Sequence, residues 1–253
     1  MMKAFEFLDD INEVKTNTMV LDKGLGYKNV EDSLKLTGEY FNLIKYGWGT
    51  SILYDKELIK DKNELYQSYD IKTYTGGTLF ELANKKGKID EFFEELDNLG
   101  FNAVEISDGS TQIPEDTRHD MIEKAKDAGL FTLSEIGKKS PELDKEYSDK
   151  TRVELINKDI ESGSDLVIIE GRESGKNIGI YDEKGNVKED QLQYIHENTD
   201  NKKIMWEAPQ KSQQVELILT LGNDVNLGNI NSNEIISLET LRRGLRGDTL
   251  GKL

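Results

Sequence analysis

The chain has 253 residues, no cysteine, and 49 acidic against 33 basic side chains, which give a formal net charge of −16. The lack of cysteine excludes disulfides and thiolate chemistry, and the negative charge disfavours binding to nucleic acid or to anionic membranes. We expect one domain over residues 1–253 and a cytoplasmic protein, because the sequence contains neither a bilayer-spanning run of about 20 apolar residues nor a signal-peptide core.

Eight short apolar runs follow one another at roughly even spacing and predict eight strands. The segments between them have helical spacing, and several end in a glycine just ahead of the next run, as at Gly100, Gly129 and Gly163. This alternation predicts an α/β fold, a closed (β/α)8 TIM barrel, whose active site lies at the carboxyl ends of its strands. The runs are MVLDKG (19–24), FNLIKYGW (41–48), IKTYTGG (71–77), AVEISDG (103–109), FTLSEIG (131–137), LVIIEGRESG (166–175), IMWEAP (204–209) and VNLGNI (225–230).

Lysines lie at the ends of the first, second and fifth runs. Lys23 and Lys45 are candidate ligands for an anion, because an acidic protein that binds an anion must gather positive charge in one place. Lys138 and Lys139 follow the fifth run. Adjacent cations favour a lowered lysine pKa, so this pair predicts a proton donor and a substrate contact. A structural or solvent-exposed pair explains the same residues equally well.

The sixth run is followed by the longest connection in the chain. Arg172 opens this segment, GRESGKNIGIYDEKGNVKED (171–190), and is a further candidate for binding substrate. The DEKG turn between two short extended stretches predicts a hairpin flap over the barrel mouth. A surface hairpin without a catalytic role fits the pattern as well.

The helix after the seventh run opens with Lys211 and Ser212. Barrels often hold phosphate at this helix end, where free backbone amides and the positive end of the helix dipole meet. Asn229, at the end of the eighth run, lies in the neighbouring loop. We therefore predict that these three residues contact a phosphate group.

Four glutamates end the strands from the fourth to the seventh. Neighbouring strands lie about 4.8 Å apart, so carboxylates at one level converge. Such hard oxygen ligands suit Mg²⁺. We predict that at least two of them bind Mg²⁺, and the alternative is that each pairs with a lysine or arginine. The four are Glu105, Glu135, Glu170 and Glu207.

Arg242, Arg243 and Arg246 lie on the last predicted helix. A charge match at the helix end, a contact between subunits and an anion site are all compatible with their spacing. The sequence therefore leaves the role of these arginines and the oligomeric state open.

Several of these strings together resemble the phosphosulfolactate synthase family, and they span most of the chain. Thr75 and Gly228 depart from the family pattern, where proline and alanine are common, without removing a charged candidate. The matching strings are LDKG (21–24), KYGWGTS (45–51), GGTLFE (76–81), VEISDGS (104–110), SEIGKK (134–139), VIIEGRESGK (167–176), EAPQKSQQV (207–215) and SLETLRRGLRGDT (237–249).

The resemblance implies a (β/α)8 barrel enzyme that adds sulfite to phosphoenolpyruvate with Mg²⁺, giving (2R)-phosphosulfolactate for coenzyme M biosynthesis. It also implies that Lys139 is the general acid. Two other functions stay open at this point: another barrel lyase or aldolase acting on a phosphorylated acid, and a non-enzymatic stress-associated relative. The product could equally feed a bacterial sulfolactate route.

Overall fold

The computed structural model describes residues 5–8 and 14–253, and eight strands lie in this part of the chain. They are β1 (Thr18–Asp22), β2 (Leu43–Tyr46), β3 (Lys72–Thr75), β4 (Ala103–Ser107), β5 (Phe131–Ile136), β6 (Leu166–Ile169), β7 (Ile204–Glu207) and β8 (Leu227–Asn231). All paired strands are parallel, in the order β3-β2-β1-β8-β7-β6-β5-β4. β3 and β4 lie side by side, and the Thr73 amide donates to Asn102 Oδ1 at 2.8 Å, just before β4. The sheet is therefore a nearly closed barrel, which confirms the predicted fold class.

Helices surround the barrel. Within the described residues, short 3₁₀ helices cover Glu6–Leu8, Gly47–Leu53 and Asn201–Lys203. No helix of this part of the chain combines the length and the apolar character needed to cross a membrane. The α-helices are α1 (Tyr27–Thr37), α2 (Lys56–Gln67), α3 (Gly77–Lys85), α4 (Ile89–Asn98), α5 (Glu115–Asp127), α6 (Pro141–Asp144), α7 (Asp149–Glu161), α8 (Glu189–Asn198), α9 (Lys211–Leu221) and α10 (Ile235–Arg242).

The apolar core has two layers, because side chains alternate between the two faces of each strand. One layer lies between the strands and the helices and includes Val20, Ile44 and Phe80. The other fills the barrel interior and forms a floor beneath the carboxyl ends of the strands. The floor contains Met19, Leu43, Tyr74, Ala103, Leu133, Leu166, Ile168 and Met205.

The long connection after β6 contains the expected hairpin. Tyr181 and Val187 form an antiparallel bridge, and the Lys188 amide donates to the Ile180 carbonyl at 2.8 Å. The hairpin packs against the barrel, since the Tyr181 hydroxyl donates to the Glu207 carbonyl at 2.6 Å. Its buried apolar side chains make it a fixed part of the fold. A role for the hairpin as a flap stays a prediction.

Candidate active site

A cavity of about 420 Å³ opens at the carboxyl ends of the strands, where barrel active sites lie. Five of its charged residues stand on the floor described above, each two positions further along the chain than a floor residue and hence on the same inner face. The pairs of floor and cavity residues are Leu43 and Lys45, Ala103 and Glu105, Leu133 and Glu135, Ile168 and Glu170, and Met205 and Glu207.

Lys45 lies at the centre of the carboxylates. Its Nζ is 2.9 Å from Glu105 Oε2, 3.2 Å from Glu207 Oε1 and 3.6 Å from Glu135 Oε2. Burial of Lys45 acts to lower its pKa, but the three carboxylates outweigh burial and hold the pKa well above its usual range. Lys45 is therefore a permanent cation that offsets repulsion among buried acids.

Two of the acids have both carboxylate oxygens occupied. Glu105 Oε1 accepts the Gly77 amide at 2.6 Å, while its other oxygen faces Lys45. Glu207 Oε2 accepts the amides of Gly171 at 2.9 Å and Arg172 at 3.1 Å. Burial, opposed by Lys45, raises the pKa of Glu105 to about 7. Backbone amides and Lys45 thus fix these two carboxylates in place.

Glu135 and Glu170 each have one carboxylate oxygen that accepts no hydrogen bond. Glu135 Oε1 and Glu170 Oε2 are buried and have no hydrogen-bond partner among the described residues. Oxygen atoms of Glu135, Glu170 and Glu207 lie within 4.8 Å of one another, close enough to share one metal ion. Burial, with Glu135 and Glu207 nearby, raises the pKa of Glu170 well above its usual range, and Lys139 and Lys45 offset this only in part.

The charge around the cavity also fits a divalent cation. The side chains that line the cavity include five carboxylates and three cations, so two negative charges remain uncompensated when all eight groups are ionised. Carboxylate oxygens are the ligands that Mg²⁺ prefers. The donor set therefore suits the predicted metal.

Lys139 extends into the same cavity from the loop after β5. Its Nζ donates to Thr78 Oγ1 at 3.1 Å and lies 3.8 Å from both Glu81 Oε1 and Glu135 Oε1. Burial acts to lower the pKa of Lys139, but Glu135, Glu170 and Glu105 raise it well above its usual range. The expectation that adjacent cations bring this lysine closer to neutrality was wrong, because its carboxylate neighbours dominate.

Two further predicted substrate ligands line the cavity. Arg172 has a φ of 58° and donates from its guanidinium to the Lys139 carbonyl at 3.0 Å. Asn229 has a φ of 56°, and both residues border the cavity. Such left-handed conformations are strained for residues other than glycine and often mark functional sites.

Four predicted ligands lie outside the cavity wall. Lys23 is at the rim, paired with Glu173 at 2.5 Å and 4.9 Å from the centroid of the Trp48 ring. Lys138 extends the other way, toward Asp108. Lys211 pairs with Asp248 at 2.7 Å, and the neighbouring Ser212 is exposed.

The amino end of α9 is closed by its own residues. The Gln210 and Gln213 side chains form a capping box there, and Gln213 also donates to the carbonyls of Gly175 and Gly185. Arg242 is buried and donates to the carbonyls of Asn223 and Val225. Its role is therefore to hold together the chain segments ahead of β8.

Two residues close to Lys139 were missed in the sequence. Thr78, which lines the cavity, and Glu81, which does not, lie on α3, a helix to which the sequence pattern assigned no site residue. Glu81 is instead 1% exposed and accepts hydrogen bonds from Ser107, Ser110 and Thr111. The only available signal was the position of both residues within the GGTLFE string.

Comparison with known proteins gives one consistent family. The model of the (2R)-phospho-3-sulfolactate synthase (ComA) family matches residues 12–248. The phosphosulfolactate synthase of Methanocaldococcus jannaschii is 54% identical over 252 residues, 100% of each chain. Those of Methanothermobacter thermautotrophicus and Bacillus subtilis are 47% and 35% identical, over 100% and 92% of this chain and 99% and 91% of their own.

Solved structures share the fold at low sequence identity. A 3-hexulose-6-phosphate synthase from Salmonella typhimurium has a TM-score of 0.57 at 16% identity and covers 94% of each chain. A phosphonopyruvate hydrolase, solved as a complex with oxalate and Mg²⁺, has a TM-score of 0.56 at 10% identity and covers 91% of this chain and 81% of its own. At these identities the likeness concerns the barrel alone.

Proposed function

This chain belongs to the (2R)-phospho-3-sulfolactate synthase family, and we propose that it is the enzyme that adds sulfite to phosphoenolpyruvate to give (2R)-phosphosulfolactate. The observation that carries the proposal is the group of four buried glutamates, the buried Lys45 and the half-buried Lys139 at the barrel mouth. We further propose that the enzyme is cytoplasmic and that its product enters coenzyme M biosynthesis.

The reaction forms one bond between carbon and sulfur and adds one proton. The sulfur lone pair of sulfite attacks carbon 3 of phosphoenolpyruvate, and the electrons of the double bond move through carbon 2 into the carboxylate. Carbon 2 then takes a proton, and the bond from carbon 2 to the phosphate oxygen stays intact. The protein must therefore hold two anions together, stabilise charge on a carboxylate and deliver one proton to one face.

Lys139 is the proposed proton donor. Its ammonium group lies in the cavity beside Thr78, and its neighbouring carboxylates keep it protonated, so it enters the reaction with the proton in place. Arg172, on the same cavity wall, is the proposed anion ligand that offsets repulsion between the two substrates. Lys45 offsets the repulsion among the carboxylates that surround it.

Glu135 and Glu170 are the proposed ligands of Mg²⁺, because both belong to the group of glutamates whose oxygens lie within 4.8 Å of one another and each has a buried oxygen that accepts no hydrogen bond. When bound, the metal would supply positive charge next to the substrate carboxylate. Glu105 and Glu207 would instead help to fix the arrangement of the four glutamates, since backbone amides already hold their oxygens. Of the four glutamates predicted to bind the metal, we therefore propose two as its ligands.

The test measures loss of phosphoenolpyruvate by the purified protein with Mg²⁺, with and without sulfite. We expect loss only with sulfite, and none from Lys139→Ala at equal folded concentration. Loss without sulfite would instead identify a different barrel lyase. No loss under any condition, together with a melting temperature that neither Mg²⁺ nor phosphoenolpyruvate changes, would favour a non-enzymatic protein.

A further inference from the structure

The adjacent lysines of the SEIGKK string point in opposite directions. Lys138 is 5% exposed, and its Nζ donates to Asp108 Oδ2 at 2.5 Å, to the Asp108 carbonyl at 2.8 Å and to the Thr111 carbonyl at 3.2 Å. An ammonium group has three hydrogens, so all the donors of Lys138 are occupied. Lys138 therefore has no donor left for a substrate, whereas Lys139 faces the cavity.

The segment that Lys138 holds is the wall on which Lys139 rests. The Lys139 amide donates to the Gly109 carbonyl at 2.8 Å. A Cβ placed on Gly109 would lie 3.3 Å from both Cγ and Cε of Lys139, so the aliphatic part of Lys139 packs directly on the backbone of Gly109. The position of residues 108–111 therefore sets the position of the Lys139 ammonium group.

Two other buried charges hold the same loop. Glu81 Oε2 accepts the Ser110 amide and the Thr111 hydroxyl, both at 2.8 Å. Arg118 lies 3.4 Å from Asp108 Oδ1 and donates to the Glu135 carbonyl at 2.9 Å. The loop is thus held by several charged groups, and the Lys138 ammonium group contributes three of the hydrogen bonds that join it to the end of β5.

We propose that Lys138 is a positioning residue: it clamps residues 108–111 against Lys139 and so fixes the direction from which Lys139 delivers its proton. This inference rests on the proposed function, because it needs Lys139 to be the proton donor. Lys138 itself does not line the cavity, and we expect it not to contact the substrate.

The test compares Lys138→Met and Lys138→Arg with Lys150→Met, an exposed lysine on α7, as the matched control. For each variant, kcat, KM for both substrates and the configuration at carbon 2 are measured. We expect Lys138→Met to lower kcat by about 100-fold, the effect of displacing a reacting group by about 1 Å, with KM unchanged. Its product should contain both enantiomers, because solvent can then protonate either face. Lys138→Arg should recover part of both losses.

The inference fails if Lys138→Met raises KM and keeps kcat, which would make Lys138 a substrate ligand, or if kcat and configuration match those of Lys150→Met. A loss of folded protein alone leaves configuration unchanged. If Lys138→Met does not fold, Asp108→Asn must reduce stereochemical purity, and a pure product would refute the clamp. Turnover retained by Lys139→Ala would refute the acid assignment itself, whereas a normal Lys138→Met beside an inactive Lys139→Ala refutes only the positioning role.

Discussion

Replacing Lys45 with Met tests whether the ring of acids is held together by its central ammonium group. Lys45 is 7% exposed and has three carboxylate oxygens within 3.6 Å. Removing one partner of a buried ion cluster destabilises a protein by about 3–5 kcal/mol, because the remaining charges stay buried without compensation. At about 2–4 °C per kcal/mol for a domain of this size, the melting temperature should fall by roughly 6–20 °C.

The assay is thermal and urea unfolding in the presence of a chelator, so that no divalent ion compensates the acids. Lys150→Met, whose side chain is 77% exposed, is the matched control and should stay within about 0.5 kcal/mol of the parent protein. Adding Glu105→Gln to Lys45→Met should recover part of the loss, since one repelling charge is removed; contacting residues couple by about 0.5–3 kcal/mol. Equal stabilities of Lys45→Met and Lys150→Met would show that the Lys45 ammonium group does not hold the acids together.

Three further predictions concern the ring and its supports. Gly77→Ala should abolish activity and destabilise the fold, because its Cβ would lie 2.5 Å from that of Ser107. Gly26→Ala, whose Cβ would have open space around it, should do neither. Equal effects of the two substitutions on unfolding and activity would contradict this prediction. Mg²⁺ should stabilise the protein by about 2.7 kcal/mol at 100 times its Kd. In a melting titration with Mg²⁺, Glu170→Gln should remove most of this stabilisation. An undiminished stabilisation of the variant would show that other residues bind the metal. Arg242→Met should lower the free energy of unfolding by about 1–3 kcal/mol, because two part-buried carbonyls lose their donor. A loss below about 0.5 kcal/mol in urea unfolding would show that other donors replace it.

The barrel fold and the placement of its glutamates at one height along the barrel axis were predictable, because both follow from local patterns in the sequence. Buried parallel strands give apolar runs, and the period of two places Glu105 and Glu135 on the same face as the floor beneath them. The hairpin after β6 was equally accessible, since its DEKG turn is a local signal. Each of these features depends on neighbours in sequence.

The directions of individual side chains were not predictable. Lys138 and Lys139 are adjacent and chemically identical, and only the turn at Gly137, with a φ of 132°, and the distant Asp108 separate their roles. At the helix end of Lys211, where a phosphate contact stays a prediction, the structure adds a capping box and a hydrogen bond from Gln213 to the hairpin that the sequence did not indicate. The direction of a side chain depends on which loops pack against one another, and a single sequence does not specify that packing.

The most direct test of the central claim is the reaction itself, run with phosphoenolpyruvate, sulfite and Mg²⁺ in D₂O and followed by NMR and chiral analysis. We expect phosphosulfolactate with one deuterium at carbon 2, in the 2R configuration alone, from the parent protein and no product from Lys139→Ala. Unchanged phosphoenolpyruvate from the folded parent protein, or deuterium in both configurations, would contradict it.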